Sequence, residues 1–238
     1  MNTGNFFIDS LPHEIKQRLS FQLQLVKLAK HDHLYLQGQK VDSIYFPLSA
    51  IISKYQTSAD GHTIEVALTG KEGVVGLTSA FDSRESMNSC QVCIGGSAMK
   101  IRVDFLMKIL EAEPGLKAAM MHYIDAQVKQ MSRRLLCNRF HSVEQRFCTW
   151  LLLVAERRGK PRVRITHADA ARALGVHRPT ITETTRILCE KKIIAQSNAA
   201  IAINDLDQVK ELACECLADL SIAKKAVPAR RLNSKSAA

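Results

Sequence analysis

The sequence predicts an α+β chain with a β-rich N-terminal half, one long helix and a C-terminal helix-turn-helix domain. Three observations carry this prediction. Short apolar segments broken by Gly and Asp run from Leu34 to Val103, a pattern typical of a small barrel or jelly roll. Apolar residues at heptad spacing follow within 114–138 and indicate a long helix. Residues 166–203 then combine two short helical patterns with a hairpin pattern, as in a winged helix-turn-helix.

The N-terminal region is predicted to start with a helix over residues 11–28, with Pro12 in its first turn. Short strands follow, and Asp60-Gly61 between two of them is typical of a β-hairpin turn. A short amphipathic helix after Asp104 is expected to end near Pro114. The predicted strands are residues 44–46, 50–55, 63–68, 74–75, 91–94 and 98–103.

The long helix carries an apolar stripe whose members are spaced alternately three and four residues apart. The stripe consists of Met121, Ile124, Val128, Met131 and Leu135, and Asn138 continues the spacing. Alternating spacings of three and four residues place the apolar side chains in two columns along one face of the helix, and such a face needs a partner surface. A second copy of the chain is the simplest partner, so the stripe predicts a homodimer. The alternative is that the stripe packs on the β-rich region of its own chain.

The C-terminal region begins with a predicted helix over residues 142–158, which Gly159 and Pro161 end. Thr166 is a candidate N-cap for the next helix, because its hydroxyl can accept a free backbone N–H. Gly175 supplies the turn, and a second helix is predicted from His177 to Glu190.

Three residues predict that these two helices pack closely. Ala171 is small enough to let the helices cross closely, Gly175 makes the turn, and Ile181 fills the space between the helices. Two short strands, 193–194 and 200–203, would form the wing. A last helix is predicted over residues 205–219.

The second of these helices carries donors and acceptors suited to reading base edges in the DNA major groove. The predicted DNA-binding residues are His177, Arg178, Thr180, Thr182, Glu183 and Arg186. A phosphate contact or a salt bridge is the favoured role for Arg186. The alternative is two core helices of an unrelated α-protein.

Charge supports a nucleic-acid partner. The chain has a net charge of +10 and a pI of about 9.4. Residues 141–238 hold 17 Lys+Arg against 10 Asp+Glu, whereas residues 1–140 hold 16 against 13. The basic excess therefore lies with the helix-turn-helix, as phosphate binding requires, although a solubility surface with a basic tail would also account for it. Neither a signal peptide nor a membrane span is expected. The seven scattered cysteines fit a reducing cytosol, so a cytoplasmic location is expected.

This order of elements resembles the Crp–Fnr superfamily of bacterial transcription regulators. The shared stretches are residues 61–66 (GHTIEV), residues 73–77 (GVVGL), the helix-turn-helix and its wing. The resemblance implies a cyclic-nucleotide-binding-like β-roll sensor domain at 1–113, a dimerisation helix and hinge at 114–140, a winged helix-turn-helix domain at 141–220 and a basic disordered tail at 221–238. It further implies a homodimer that binds palindromic double-stranded DNA, with RNA polymerase as a partner if the chain is an activator. By the same resemblance, Arg178 corresponds to a base-reading arginine that binds guanine.

The resemblance also locates a candidate effector pocket, formed by Gly73, Val74, Val75, Gly76, Arg84 and Ser86. In cyclic-AMP-binding relatives this turn carries a glutamate for the ribose, and an Arg-Ser pair grips the phosphate. Here Val74 replaces the glutamate, and Arg84 lies two positions before the register of that pair. The effector is therefore expected to be something other than cyclic AMP. The alternatives are a cyclic-nucleotide-responsive regulator, and a small-molecule-binding or interaction protein whose DNA binding is lost.

No catalytic residues, cofactor or metal site are predicted. The chain shows no Ser/His/Asp arrangement and no phosphate loop, so an enzyme is not expected. Cys90 and Cys93 lie at metal-like spacing but within a predicted strand. Cys214 and Cys216 fall in the predicted last helix, where their side chains would point apart.

Overall fold

The computed structural model describes residues 2–81, 84–197 and 200–221 and confirms the predicted α+β class. The N-terminal half contains helices α1 (Phe6–Asp9) and α2 (His13–Ser20), strands β1 (Gln24–Leu28), β2 (His33–Tyr35), β3 (Ser43–Pro47), β4 (Ile51–Thr57) and β5 (Thr63–Thr69), helix α3 (Leu77–Ala80), strands β6 (Ser89–Ile94) and β7 (Gly96–Arg102), and helix α4 (Val103–Ala112). No helix within the described ranges combines the length and apolarity that crossing a membrane requires.

The strands form two antiparallel sheets, and we call this unit the β-roll. One sheet has the order β1-β7-β3 and the other β2-β6-β4-β5. Phe46, Ile52 and Ile101 are among its fully buried side chains. Residues 74–75 were predicted as a strand, but only Val75 pairs, through one isolated bridge to Tyr45.

The single helix predicted for residues 11–28 is wrong beyond Ser20. Residues Gln24–Leu28 form β1, which pairs with β7 from Gln24 opposite Lys100 to Leu28 opposite Gly96. Local propensity does not decide this segment, because the free edge of β7 supplies a partner that the sequence pattern does not reveal.

The C-terminal half begins with one long helix. Helix α5 (Pro114–Phe140) is followed by α6 (Val143–Arg158), β8 (Arg162–Val163), α7 (His167–Leu174), α8 (Arg178–Glu190), β9 (Ile194–Ser197), β10 (Ala200–Ile203), α9 (Leu206–Leu212) and α10 (Leu217–Leu220). Strands β8, β10 and β9 form a small antiparallel sheet. The predicted helix over 205–219 is wrong in one respect: Ala213 adopts an extended conformation, and the helix breaks into α9 and α10.

Helix α5 is joined to α6 by two residues only. His141 ends α5 in an extended conformation, and Ser142 immediately caps α6 with a reciprocal hydrogen-bonded capping box to Gln145. We refer to this two-residue junction, between the helix that leaves the β-roll and the C-terminal domain, as the hinge.

The β-roll and the C-terminal domain share a polar interface around Glu65, which is 1 % exposed. Its carboxylate accepts hydrogen bonds from Ser53 Oγ at 2.6 Å and from Trp150 Nε1 at 3.2 Å, and Arg134 lies 3.1 Å away. One carboxylate of β5 thereby contacts α5 and α6 together. Three donors around one buried acceptor fix the relative position of these elements.

Candidate nucleic-acid interface and effector region

Helices α7 and α8 form a helix-turn-helix whose local geometry follows from the sequence. Thr166 caps α7 and forms a reciprocal capping box with Asp169, as a threonine and a carboxylate three residues apart predict. Gly175 adopts φ +63°, the left-handed conformation that glycine accepts at least cost. Pro179 lies in the first turn of α8.

The packing between the two helices is also as predicted. Ala171 is 6 % exposed, and Ile181 is fully buried between the helices. Thr184 is also buried, and its hydroxyl donates to the carbonyl of Thr180 at 2.9 Å. A polar side chain is tolerated there because its hydrogen bond is satisfied within the helix.

The six predicted DNA-binding side chains all lie on the exposed surface of the helix-turn-helix. His177 is the N-cap position of α8, and the other five belong to the helix itself: Arg178, Thr180, Thr182, Glu183 and Arg186. The opposite face of α8 is buried through Ile181, Thr184, Thr185 and Leu188. Helix α8 therefore presents one continuous polar face to solvent.

Arg186 forms a salt bridge on each side along α8. Its guanidinium lies 2.6 Å from Glu183 and also contacts Glu190. Hydrogen bonding from Arg186 lowers the pKa of Glu183, so this carboxylate is ionised at neutral pH. The charge of Arg186 is therefore directed toward two carboxylates of its own helix.

The wing is connected to both helices of the motif. His167 Nδ1 lies 3.0 Å from the Thr182 hydroxyl, and its Nε2 lies 3.1 Å from Gln196 Oε1 on β9. One imidazole thus links α7, α8 and the wing. Residues 198–199, at the predicted hairpin turn, lie outside the described residues.

The helix-turn-helix rests on the β-roll through α7. Lys30 Nζ lies 2.7 Å from Asp169 Oδ2, and Arg172 donates to Gln91 on β6. A methyl group added at Gly175 would approach Ile64 Cδ1 of β5 to 3.1 Å. These contacts involve α7 and the turn, and they leave the polar face of α8 exposed.

The predicted dimer stripe lies on the outer side of α5. Met121, Val128 and Leu135 are 51 %, 55 % and 73 % exposed, whereas Ile124 and Met131 are half-buried. The side of α5 that packs on its own chain uses other residues: Leu116, Met120, Tyr123, Gln127 and Cys137. Most of the stripe is thus left uncovered by its own chain.

The residues of the candidate effector pocket have separate surroundings. Val74 and Val75 are 1 % and 2 % exposed and belong to two hydrophobic clusters of the β-roll. Gly73 faces Tyr123, and a Cβ atom there would lie 2.2 Å from the phenolic oxygen. The turn is therefore filled by side chains of the chain itself.

Arg84 and Ser86 do not converge on that turn. Arg84 forms a salt bridge of 2.7 Å with Asp104 at the start of α4. Ser86 is buried, and its hydroxyl donates to the carbonyl of Asn88. Both polar groups are thus occupied by local partners.

A cation inside the β-roll was missed by the sequence analysis. Lys54, on β4, is only 8 % exposed, and its Nζ donates to Gln127 Oε1 of α5 at 3.4 Å. Gln127 Nε2 in turn donates to the Tyr123 hydroxyl at 2.8 Å. The sequence signal was weak, because Lys54 is one of several polar residues in β4, which also contains Ser53 and Gln56. This polar chain joins β4 to α5 beside Gly73.

A second group was also missed, at the hinge after α5. The ligand-type atoms of Cys137, His141, Cys214 and Cys216 all lie within 4.8 Å of one another. Burial raises the pKa of the Cys137 thiol to about 12 and that of Cys216 to about 11. The spacings Cys137-x3-His141 and Cys214-x-Cys216 are the sequence signal, and the predicted continuous helix over 205–219 concealed it.

Two family models match the chain. Residues 25–113 match the cyclic nucleotide-binding domain, and residues 145–212 match the Crp-like helix-turn-helix domain. Together with α5 between them, these two units define a two-domain DNA-binding transcription regulator. The chain belongs to the Crp–Fnr superfamily, as the sequence resemblance predicted.

Known proteins with the same organisation are distant in sequence. The Global nitrogen regulator of Synechococcus elongatus is 20% identical over 76% of this chain and 86% of its own length. The CRP-like cAMP-activated global transcriptional regulator of Mycobacterium tuberculosis is 20% identical over 80% of this chain and 88% of its own. The structure of FixK2 from Bradyrhizobium japonicum superposes with a TM-score of 0.70 at 15% identity, covering 81% of this chain and 98% of that one. At this identity the structural match shows the fold.

Proposed function

We propose that this regulator acts as a homodimer that reads an inverted repeat in double-stranded DNA, with α8 of each copy in a major groove. The observation that carries the proposal is the division of α8 into two faces. Its buried face fixes the helix on the domain, and its exposed face holds all six candidate contact residues. A helix presented in this way is the reading element of helix-turn-helix proteins.

Within this interface each side chain has a distinct proposed task. Arg178, in the first turn of α8, would donate two hydrogen bonds to the O6 and N7 atoms of guanine. Glu183, one and a half turns later, would accept from the amino group of cytosine. Arg186 would exchange a carboxylate partner for a DNA phosphate, since its side chain is exposed.

Dimerisation through α5 is supported by the exposed stripe. Three of its five members are more than half exposed, and they lie away from the side that packs on the β-roll. Two copies aligned on this stripe would bury it in a symmetric seam. Symmetry of the protein then demands a palindromic site, with half-sites about 34 Å apart.

The effector of this proposed regulator is not cyclic AMP. The physical reason is that a phosphodiester anion needs a cation and hydrogen bonds inside the pocket. The 73–76 turn offers buried valines, and Arg84 is paired with Asp104. We further propose that the chain is a cytoplasmic regulator and not an enzyme. RNA polymerase would be a partner if the chain activates transcription.

The test is selection of bound duplexes from a random library by the wild type, Arg178→Ala and Lys191→Ala. Arg178→Ala should relax preference at one base pair per half-site. Lys191→Ala, at the exposed end of α8, is the control: it should weaken all duplexes alike, as a lost phosphate contact does. If Arg178→Ala weakened every duplex equally, Arg178 would be a backbone contact and the proposed orientation of α8 would be wrong.

The specific competing proposal is an interaction protein whose DNA binding is lost. The two salt bridges of Arg186 favour it, because they occupy a cation of the proposed interface. It predicts that the library yields no enriched sequence. The same selection therefore separates the two functions.

A further inference from the structure

The strongest group outside the DNA interface is the four-residue cluster at the hinge. Cys137 lies in the last turn of α5, and His141 is the residue that ends this helix four positions later. Cys214 and Cys216 lie in the break between α9 and α10. The end of α5 and the interruption between α9 and α10 thus bring two pairs of potential metal ligands together. Cys137 and Cys214 are 77 residues apart in the sequence.

We propose that Cys137, His141, Cys214 and Cys216 bind one tetrahedral divalent metal ion of the zinc type, which ties the C-terminal end of α5 to the C-terminal segment of the DNA-binding domain. Three cysteines and one histidine form a common ligand set of structural zinc sites. The ligands would be three thiolates and the Nδ1 atom of His141. Binding would release the three thiol protons to solvent as the metal–sulfur bonds form.

The distances fit a single ion. Metal–ligand bonds of about 2.3 Å for sulfur and 2.0–2.1 Å for nitrogen place tetrahedral ligands about 3.6–3.8 Å from one another. Cys137 Sγ lies 3.5 Å from Cys214 Sγ, and Cys216 Sγ lies 3.7 Å from His141 Nδ1. A [4Fe–4S] cluster would bind each ligand to a different iron, and a [2Fe–2S] cluster would bind the ligands in two pairs on two irons. Either cluster would hold some ligand atoms further apart than the 4.8 Å within which all four lie here. The cluster geometry therefore favours one ion over a polynuclear centre.

The groups around the ligands are those that a metal site requires. His141 Nε2 lies 3.1 Å from Glu215 Oε1, so its N–H can donate to a carboxylate while Nδ1 faces Cys216. This carboxylate–histidine arrangement orients metal-binding histidines and raises their basicity. The Thr149 hydroxyl lies 3.1 Å from Cys214 Sγ and can donate to the thiolate.

Arg146 supplies the charge that the proposed site needs. Three thiolates and a divalent ion leave one negative charge in a buried place, which is costly unless it is compensated. Arg146 is 8 % exposed, and it lines a small cavity together with Cys137 and Thr149. No described residue accepts a hydrogen bond from Arg146 Nε. A metal-thiolate cluster beside it would account for this buried donor.

The position of the site gives the ion a structural task. His141 and Ser142 are the two residues that connect α5 to α6. Helix α10 also packs on α5, where Arg133 pairs with Asp219 and Gln130 donates to the carbonyl of Leu220. An ion held by residues on both sides of the hinge would fix the angle between α5 and the DNA-binding domain. This inference does not depend on the proposed DNA site.

The experiment uses the full chain, without an affinity tag, reduced and free of metal, titrated with Co²⁺ under anaerobic conditions. The expected result is a visible spectrum of tetrahedral cobalt with thiolate charge-transfer bands, saturating at one ion per chain. Added Zn²⁺ should abolish the bands and raise the melting temperature. The proposal would be overturned if the bands were absent or if the spectrum were that of octahedral cobalt. It would also be overturned if Cys137 and Cys214 formed a disulfide that persists after treatment with reductant.

Three variants make the test specific. Cys216→Ser should weaken Zn²⁺ binding, measured against a chromogenic chelator, more than about 100-fold, which is the upper end for loss of an outer partner. Glu215→Gln, at an exposed position that leaves the fold intact, should weaken it about 10–100-fold. Cys189→Ser, a half-buried cysteine on α8, is the matched control and should bind as the wild type does. Equal affinity of all three variants would contradict the assigned ligands.

Discussion

Arg157 Nε donates a hydrogen bond to Glu72 Oε1 over 2.7 Å, and the two side chains are only 4 % and 3 % exposed. Glu72 belongs to the loop after β5 and also accepts from the backbone N–H of Gly70 at 3.0 Å. Arg157 is in the last turn of α6. This buried pair therefore joins the loop before the 73–76 turn to the first helix of the DNA-binding domain.

The pair predicts a large stability effect when one partner is neutralised. Glu72→Gln should lower the free energy of unfolding by about 3–5 kcal/mol, because it leaves the Arg157 charge buried without its carboxylate. Urea unfolding measures this. Asp125→Asn is the control, since Asp125 pairs with Lys129 on the exposed surface of α5, and it should change stability by less than about 1 kcal/mol. Equal effects of the two substitutions would show that the buried pair is not structural.

Dimerisation through α5 predicts that a charge in the stripe dissociates the protein. Val128→Glu should give monomers in sedimentation velocity and lose tight binding to the inverted repeat, since an unpaired carboxylate would lose its water in the seam. Lys129→Glu introduces the same side chain at the next, solvent-facing position and should remain dimeric. A Val128→Glu dimer of undiminished affinity would remove the stripe from the interface.

Cyclic AMP is predicted not to bind with useful affinity. Val74 and Val75 are packed in the core, and Arg84 is engaged by Asp104. Titration calorimetry at millimolar nucleotide should show no saturable heat. A micromolar dissociation constant would contradict this, and its loss in Lys54→Met but not in Arg84→Met would locate the cation inside the β-roll.

The salt bridges on α8 predict that DNA binding is restrained by a carboxylate. Glu190→Gln should strengthen binding to all duplexes, because Arg186 loses a competing partner. The slope of log affinity against log salt concentration should become steeper by up to about 0.9, the value for one added phosphate contact. Filter binding at several salt concentrations measures both quantities. Glu211→Gln, an exposed carboxylate on α9, removes the same charge elsewhere and should have a smaller effect. An unchanged affinity in Glu190→Gln would mean that Arg186 does not approach the DNA.

Elements with local signals could be predicted from the sequence. The capping box of Thr166 and Asp169, the turn at Gly175 and the proline at 179 act within a few residues, so the helix-turn-helix follows from their order. The hairpin at Asp60-Gly61 is of the same kind, since β4 and β5 pair across it.

The remaining features depend on contacts that the order of residues does not display. Strand β1 exists because β7 offers an edge, and the break at Ala213 appears only where α10 packs back on α5. The roles of Lys54, Glu72 and the hinge cluster each depend on contacts with residues more than 70 positions away in the sequence. From the sequence alone, Lys54 is a residue of a predicted strand, Glu72 is a loop residue, and the cysteines of the cluster are scattered along the chain.

A symmetric dimer that reads two half-sites on one face of DNA requires a fixed spacing between those half-sites. The most direct measurement takes the inverted repeat obtained by selection and varies the spacing between its half-sites one base pair at a time. Binding should be tightest at a separation of about one helical turn, roughly 34 Å, and should weaken when half a turn is inserted. Affinity independent of spacing, or selection of a single unrepeated site, would contradict it.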